Sequence, residues 1–486
     1  MTIKDLQPSN VWNNFYLLTQ QPRPSKHEEK VREFLLKWAS EKGIEAFADE
    51  TGNVIMRKPA TPGYENRRGV IFQAHMDMVP QKISSSKHDF LNDPIETVID
   101  GDWVKANGTT LGADDGLGVA LAMSVMEADN IKHGPVEALI TYDEETGMTG
   151  AEMLKPGILN GDILINVDSE DDDELCIGCA GGLDAIAEFG YRNVATPEDY
   201  VAIKISISGL QGGHSGMDIS LYRGNANQIA AAAIIPVMEK LGAELVNFTG
   251  GSLRNAIPFE ADVELAVPAK NEKAVKAALE NSLANAKARY KESDPDFVYT
   301  IKKSSKCAAK HISSKAALNA MKSIVMCPSN VIRMSQSMPG LTETSINLAI
   351  VRCEKGKIRI ASLMRSAIDA SKAELAERVR YIFESCGAKV SFEGGYSGWV
   401  PKPDSPLISL LNGIYTKMFG ESMKVRATHG GLECALLGAK YPNWDMVSIG
   451  PTVRYPHSPD ERCLIASVPK AWSFLQEVLV NIPEKK

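Results

Sequence analysis

The sequence predicts an α/β protein, in which a first domain with a largely parallel sheet between helices carries an inserted α+β domain. In the first part of the chain, short runs of buried-type residues alternate with helical segments. Near residue 189 strictly alternating strands replace these runs, and the buried α/β pattern returns near residue 395. We therefore expect residues 1–188 and 395–486 to form one discontinuous domain and residues 189–394 to form the insertion.

The elements of the first domain can be taken in chain order. A helix is expected from Ser25, which with Glu28 has the spacing of a capping box, and Gly43 supplies a stop. A second helix is expected from Gly116. Strands are expected at "NVIMR" (53–57), "GVIFQA" (69–74), "VEALITY" (136–142) and "DILINV" (162–167).

The inserted domain has a different pattern. "DYVAIKISISGL" and "ADVELAV" alternate apolar and polar residues, which is typical of strands with one solvated face. Lys/Ala/Glu-rich stretches at 271–292 and 371–387 predict helices, and a hairpin is expected around 354–356. The insertion therefore reads as an α+β domain.

Composition and charge exclude several classes of protein. Apolar residues make up 44% of the chain and charged residues 23%, as in ordinary soluble proteins. A net charge of −8 disfavours nucleic-acid and anionic-membrane partners. No apolar run reaches the ~20 residues of a membrane span. The N-terminal stretch lacks the basic start and apolar core of a secretion signal, so we expect a cytoplasmic protein.

An acid or an imidazole directly follows the buried segments of the first domain. The carboxyl ends of parallel strands meet at one edge of a sheet, where ligands bind in open α/β folds. Imidazole and carboxylate without thiolate are the ligands of hydrolytic zinc, manganese or cobalt sites. The residues in question are His75, Asp77, Asp114, Glu144, Glu145, Asp168 and His457.

The charge of this set favours two cations over one. Five carboxylates bring five negative charges to one place and repel one another. Two divalent ions supply four positive charges, whereas a single ion leaves the cluster badly undercompensated. We therefore expect two divalent metal ions, with zinc as the first choice and manganese or cobalt as alternatives.

Five short motifs, "AHMD", "GADDG", "DEETG", "NVDSE" and "PHSPDE", occur in this order. Together they resemble the co-catalytic metallopeptidase family that includes carboxypeptidase G, aminoacylase and peptidase T. Longer stretches such as "GGHSGMDI", "GGSLRNAIP" and "GLECALLGAKYPNWDMVSIG" extend the likeness over nearly the whole chain. They are similar to the dipeptidases of this family that cleave Xaa-His dipeptides such as β-Ala-His.

The resemblance implies roles for the residues of the first domain, which would be the catalytic domain. Asp77 would orient the imidazole of His75, and Glu144 would be the general base that takes a proton from the attacking water. A non-proline cis peptide is implied between Asp114 and Asp115. The implied metal ligands are His75 and Asp168 for one ion, Glu145 and His457 for the other, and Asp114 as the bridge between them.

The resemblance also implies that the inserted domain is a lid that contacts a short peptide substrate. His214 would stabilise the transition state, in many relatives across a homodimer formed through this domain. Asn255 would contact the substrate, and Arg365 would bind its free carboxylate. Backbone amides of Gly430 and Gly431 could approach the same carboxylate.

Three alternatives remain open at the level of sequence. A tripeptidase, a carboxypeptidase or an N-acyl-amino-acid deacylase would use the same metal centre with a different pocket. A binding protein that has kept the fold is disfavoured because no ligand or base is missing. A two-metal phosphoesterase is disfavoured because the chain has no phosphate-binding P-loop motif. Preference for histidine rests on the resemblance alone.

Overall fold

The computed structural model of the protein describes residues 2–304 and 307–485. The chain forms two compact units. Unit 1 comprises residues 2–178, 401–427 and 432–485, and unit 2 comprises residues 179–400 and 428–431. The predicted fold class, an α/β domain with an α+β insertion, is confirmed.

The units divide at other positions than the sequence suggests. The expected boundaries, 188/189 and 394/395, fall inside two strands, Gly181–Gly190 and Lys389–Tyr396, which pair with each other in the sheet of unit 2. Both strands therefore lie wholly in unit 2. The short segment 428–431 also belongs to unit 2, although the sequence assigns it to the first domain.

The helices and strands follow in chain order. The first part of unit 1 contains α1 (Ser9–Thr19), α2 (Glu29–Glu41), β1 (Glu45–Ala48), β2 (Val54–Lys58), β3 (Val70–His75), β4 (Thr97–Asp100), β5 (Trp103–Ala106), α3 (Ala113–Glu127), β6 (Val136–Thr141), α4 (Glu144–Gly147), α5 (Thr149–Met153), β7 (Ile163–Asn166) and β8 (Glu174–Cys179). Unit 2 contains β9 (Gly181–Gly190), β10 (Asn193–Ala195), β11 (Tyr200–Ser208), α6 (Ala226–Leu241), β12 (Glu244–Gly250), β13 (Ala261–Pro268), α7 (Glu272–Arg289), β14 (Val298–Ser304), β15 (Lys310–Ile312), α8 (Ser314–Met326), β16 (Asn330–Met334), β17 (Thr342–Glu354), β18 (Lys357–Ser366), α9 (Asp369–Ser385) and β19 (Lys389–Tyr396). The last part of unit 1 contains α10 (Pro406–Phe419), β20 (Lys424–Thr428), α11 (Glu433–Lys440), β21 (Asp445–Ser448), β22 (Val453–Arg454), β23 (Arg462–Leu464) and α12 (Ser467–Asn481).

The main sheet of unit 1 has the strand order β1-β2-β6-β3-β7-β21-β8-β20. Its four central strands, from β6 to β21, are parallel, whereas β1, β2 and β8 pair antiparallel with their neighbours. Every residue of β3, β6 and β7 is buried, as the continuous apolar runs predict. α3 packs on β3 and β6, and α10 and α11 pack on β21. The largely parallel sheet thus lies in the core and directs three strand ends to one edge.

The capping box predicted at Ser25 is wrong. The helix begins at Glu29, and Glu28 does not bond back to the amide of Ser25. Instead Oε1 of Glu28 accepts hydrogen bonds from the backbone N–H groups of Lys26 (2.9 Å) and Asp143 (3.2 Å). Glu28 is fully buried, so a tertiary contact to the turn after β6 has replaced the local cap.

Unit 2 is built on an antiparallel sheet in the order β14-β11-β13-β12-β17-β18-β9-β19, with β16 added alongside β17. Helices α7, α6, α8 and α9 pack on this sheet and contact one another in that order. The predicted hairpin joins β17 to β18 through Lys355 and Gly356, and both residues have positive φ, as a type I′ turn requires. Within the described ranges, no helix is both long enough and apolar enough to cross a membrane.

Candidate metal centre

Three neighbouring parallel strands of unit 1 carry acids or an imidazole where they end. β6, β3 and β7 are adjacent in the sheet. His75 is the last residue of β3, Glu144 begins the short helix α4 after β6, and Asp168 follows β7. The start of α3 adds Asp114, and the loop after β22 adds His457. The topology therefore gathers five separate chain segments at one edge.

Two histidine–carboxylate groups share one carboxylate at this edge. Nε2 of His75 lies 3.2 Å from Oδ1 of Asp114 and 3.6 Å from Oδ1 of Asp168. Nε2 of His457 lies 3.1 Å from Oδ2 of Asp114 and 3.0 Å from Oε2 of Glu145. The ligand atoms within each group lie within 4.8 Å of one another. Asp114 faces the two groups with different oxygens, so each group could hold one cation with an imidazole and two carboxylates.

Asp77 connects this centre to the turn that carries the two glutamates. Its Oδ1 lies 3.2 Å from Nδ1 of His75 and accepts the backbone N–H of Glu144 at 3.0 Å. Its Oδ2 accepts the backbone N–H of Glu145 at 3.2 Å. One buried carboxylate thus fixes both the ring of His75 and the start of α4.

Burial and mutual repulsion dominate the electrostatics of the centre. Burial raises the pKa of Glu144 well above its usual value and that of Asp168 to about 7. Hydrogen bonds to Asp114 and Glu145 raise the pKa of His457 to about 11. Oε1 of Glu145 is buried and has no hydrogen-bond partner among the described residues. Bound cations would offset this repulsion, and the donor set fits zinc, manganese or cobalt.

A third acidic group lies next to the centre. Carboxylate oxygens of Glu28, Asp77 and Asp143 also approach within 4.8 Å of one another. Asp143 accepts hydrogen bonds from the hydroxyls of Thr146 and Thr149. Burial raises the pKa of Glu28 to about 7, so a proton on Glu28 can relieve the repulsion in this group.

The sequence assigned no role to three buried charged residues around the centre. Arg23 donates to backbone carbonyls, and Glu461 accepts backbone N–H groups of the loop before Asp114. Glu433 accepts hydrogen bonds from Nε2 of Gln73 and the hydroxyl of Thr141, both at 2.6 Å, and burial raises its pKa to about 8. Two of the three lie in stretches that carry the family resemblance, since Glu461 ends the motif "PHSPDE" and Glu433 lies in "GLECALLGAKYPNWDMVSIG".

The residues expected in the lid come together within unit 2. His214 forms a β-bridge with Ala256, and the backbone N–H of Ser215 donates to the carbonyl of Asn255 at 2.8 Å. Nε of Arg365 lies 3.3 Å from the hydroxyl of Ser215. These contacts place His214, Asn255 and Arg365 around one short segment.

The segment 428–431 joins this cluster. A Cβ on Gly216 would lie 2.9 Å from the carbonyl oxygen of His429 and 3.2 Å from Cα of Gly430. The last position of the motif "GGHSG" therefore needs glycine, because the backbone of residues 428–431 lies directly against it. The N–H of Ala180 donates to the carbonyl of Gly430 at 3.0 Å. Gly431 is the last residue of the segment.

The protonation state of His214 and the burial of Arg365 bear on what this cluster could bind. Nδ1 of His214 lies 3.3 Å from the N–H groups of Gly216 and Met217 and accepts from them, so in the neutral ring the proton is on Nε2. Burial lowers the pKa of His214, which favours that neutral ring. Arg365 is 5% exposed and forms no ion pair with any carboxylate of residues 2–304 and 307–485.

The non-proline cis peptide expected between Asp114 and Asp115 is present.

Comparison with known proteins identifies the family of the chain. Residues 71–481 match the peptidase family M20/M25/M40. The chain is 40% identical over 483 residues to the cytosol non-specific dipeptidase of Escherichia coli, with 99% of each chain covered.

Two solved structures extend this comparison. The aminoacylhistidine dipeptidase of Vibrio alginolyticus has a TM-score of 0.91 and 41% identity, and the match covers 100% of this chain and 99% of that one. An aminopeptidase from Bacillus cereus has a TM-score of 0.57 and 16% identity, with 98% and 99% covered. The second likeness concerns the fold alone.

Substituting Asp114 by asparagine tests whether one carboxylate serves both groups. The amide offers one oxygen in place of two and carries no charge, so only one group can keep an oxygen ligand at this position and both groups lose the negative charge. We expect bound zinc to fall from two ions per chain to one at most, measured by mass spectrometry of the metal after equilibrium dialysis. Asp102→Asn, at an exposed position, is the control and should keep two. Two ions retained by Asp114→Asn would contradict the bridge.

Proposed function

The chain belongs to the peptidase family M20/M25/M40 and is a metal-dependent peptidase, and we propose that it is a di-metal dipeptidase acting on Xaa-His dipeptides such as β-Ala-His. The observation that carries this proposal is the pair of histidine–carboxylate groups that share Asp114. Full-length likeness to two dipeptidases supports the substrate length.

We propose that His75 and Asp168 hold one ion, Glu145 and His457 hold the other, and Asp114 bridges them. Zinc is the first candidate, with manganese and cobalt as alternatives, because nitrogen and oxygen ligands bind all three. When bound, such ions lower the pKa of a water molecule and polarise the peptide carbonyl. Asp77 holds the ring of His75 in place for this arrangement.

Glu144 is the general base of the proposed reaction. Its backbone N–H is held by Asp77 at 3.0 Å, which fixes the start of α4 beside the two histidine–carboxylate groups, and burial raises its pKa. The carboxylate takes a proton from the attacking water and then gives it to the amine of the leaving residue. Both transfers use the same carboxylate, and the residue ends the cycle in its starting state.

Unit 2 supplies the groups that bind the substrate. The Nε2–H of His214 is a donor suited to the oxyanion that develops on the scissile carbonyl. The buried guanidinium of Arg365 interacts with Asp184, which is itself paired with Arg254, so it keeps positive charge that suits the free carboxylate of a short peptide. Asn255 and the backbone of Gly431 complete the proposed substrate contacts.

Two further features, the oligomeric state and the location in the cell, stay predictions. A homodimer through unit 2 is supported by exposed apolar residues at the end of α8 and on the edge strand β16, namely Val325, Met326, Ile332 and Met334. Light scattering of the metal-loaded protein measures the mass that decides it. A cytoplasmic location is supported by the name of the Escherichia coli relative, and fractionation of cells tests it.

The breadth of substrate is the first thing to measure. The protein is stripped of metal, reloaded with zinc, manganese or cobalt, and assayed on β-Ala-His, Gly-His, Gly-Leu, a tripeptide and an N-acetyl amino acid. We expect metal-dependent cleavage of the two histidine dipeptides. Equal cleavage of Gly-Leu would replace the Xaa-His preference with a broad dipeptidase, as the name of the Escherichia coli relative suggests. Cleavage of only the last two substrates would refute the dipeptidase proposal.

Replacing Glu144 by glutamine tests the base. The amide cannot accept a proton, so we expect kcat to fall about 10²–10⁴-fold, while zinc content stays at the wild-type value. Glu152→Gln, in the neighbouring helix α5 and exposed, should leave kcat unchanged. Steady-state kinetics and metal analysis of the same samples give both readouts. A variant that keeps its kcat, or loses its metal together with its kcat, would remove this role from Glu144.

Variants of unit 2 should separate binding from turnover. Arg365→Met removes a charged hydrogen-bond donor, so we expect KM to rise about 10- to 100-fold. His214→Ala removes an oxyanion donor and should lower kcat about 10²–10³-fold. Arg359→Met, in the same strand β18, is the matched control. The control should leave both KM and kcat unchanged, even if it lowers the thermal stability. If Arg365→Met and His214→Ala also changed only the thermal stability, neither residue would contact the substrate.

A further inference from the structure

Arg23 ties together the backbones of two loops that carry proposed metal ligands. The residue is 2% exposed and lies in unit 1 before α2. Its Nη1 donates to the carbonyls of Met76 (3.0 Å) and Asp77 (2.9 Å), directly after His75. Its Nη2 donates to the carbonyl of Gly112. The rigid guanidinium fork therefore connects the end of β3 to the start of α3.

Glu461 binds the same loop from its N–H side. Oε2 accepts the N–H groups of Leu111 (2.8 Å) and Gly112 (3.0 Å). Oε1 accepts those of Ala113 (2.7 Å) and Asp114 (3.2 Å). Four successive amides, the last of them that of the proposed bridging ligand, converge on one carboxylate. Gly112 is bound on both sides, through its N–H by Glu461 and through its carbonyl by Arg23.

The glycines of the motif "GADDG" make room for Arg23. A Cβ at Gly112 would lie 2.6 Å from Nη2 of Arg23, and a Cβ at Gly116 would lie 2.5 Å from the same atom. Gly112 also has φ +69°, whereas Gly116 has no positive φ. Glycine at 116 is therefore explained by the guanidinium and the packed ring of Phe15, and not by backbone conformation.

We propose that Arg23 and Glu461 form a backbone clamp that positions Asp114 and His75 for metal binding, so that metal affinity depends on two residues that are not ligands. The inference rests on the metal centre of the proposed function. Neither side chain has a ligand atom in the two histidine–carboxylate groups. The hydrogen bonds of both side chains go to backbone groups next to, or including, a proposed ligand, and the charge of Arg23 also attracts the carboxylates of Asp77 and Asp114. The clamp therefore fixes the position of the end of β3, which carries His75, relative to the start of α3, which carries Asp114.

The test compares clamp variants with matched variants elsewhere. Glu461→Gln leaves part of the four amides without an acceptor, and Arg23→Lys replaces the fork by a single ammonium group. We expect the zinc Kd of both to rise about 10- to 100-fold, measured by chelator competition. The control Glu137→Gln changes a buried carboxylate that binds the amides of Asn160 and Gly161. The control Arg352→Lys changes a guanidinium bound to the carbonyls of residues 250, 251 and 351.

Thermal unfolding of the metal-free proteins separates positioning from stability. All four variants should unfold at lower temperature, but only the clamp variants should bind zinc more weakly. Zinc Kd values of the clamp variants within about twofold of wild type would overturn the inference while leaving the proposed function intact. A wild-type protein that binds no zinc would instead refute the proposed function itself.

Gly116→Ala provides a second test that keeps both charged side chains. Its methyl group would displace the guanidinium of Arg23, so we expect zinc affinity to fall about tenfold. In an Arg23→Ala background the methyl no longer meets the guanidinium, and the same substitution should change the zinc Kd less than twofold. Additive losses in the double variant would show that Gly116 acts independently of Arg23 and would contradict the clamp.

Discussion

Repulsion between carboxylates crowded at one edge of a parallel sheet is the constraint on which the rest of unit 1 depends. Asp77, Asp114, Glu144, Glu145 and Asp168 converge where β6, β3 and β7 end, and most of these groups are shielded from water. Such an arrangement is stable only if cations, protons or directed hydrogen bonds offset the charge. The two imidazoles contribute part of the offset. The paired geometry around Asp114 leaves two places at which divalent ions would supply the remainder.

Buried carboxylates that bind backbone hold the loops that carry these acids. Asp77 binds the amides of Glu144 and Glu145, and Glu461 binds four amides before α3. Glu433 lies beneath the strand ends and is bonded to side chains of β3 and β6. A buried carboxylate that accepts N–H groups orders a loop without using up a cation. Glu461 and Glu433 thus order the structure around the centre without facing the histidines, whereas Asp77 does both, since it binds the amides of α4 and lies 3.2 Å from the ring of His75.

The sequence predicted the parts of this structure that follow from local pattern. Continuous apolar runs located β3, β6 and β7, and parallel pairing brings their carboxyl ends together, so the sequence alone groups His75, Glu144 and Asp168. The capping box failed because Glu28 is recruited by the amide of Asp143, which is distant in sequence. Arg23 gave no signal, because a single arginine in a loop is ordinarily a surface charge. Its partners are backbone carbonyl groups, which every residue has. Which carbonyls are left without a backbone donor depends on the fold, so no sequence pattern marks them.

The charge of the centre also bears on which substrates suit it. In the proposed centre, two divalent ions and five ionised carboxylates would leave one uncompensated negative charge. All candidate substrates carry a free carboxylate, so the proposed contact with Arg365 would not discriminate between them. A dipeptide also carries an amino group whose pKa is about 7.7–8.0, and it is therefore largely cationic near neutral pH. An N-acyl amino acid has no such charge. A residual negative charge at the proposed metal centre would therefore favour peptides with a free amino group close to the scissile bond, which is the chemistry of a dipeptide rather than of an acylated amino acid.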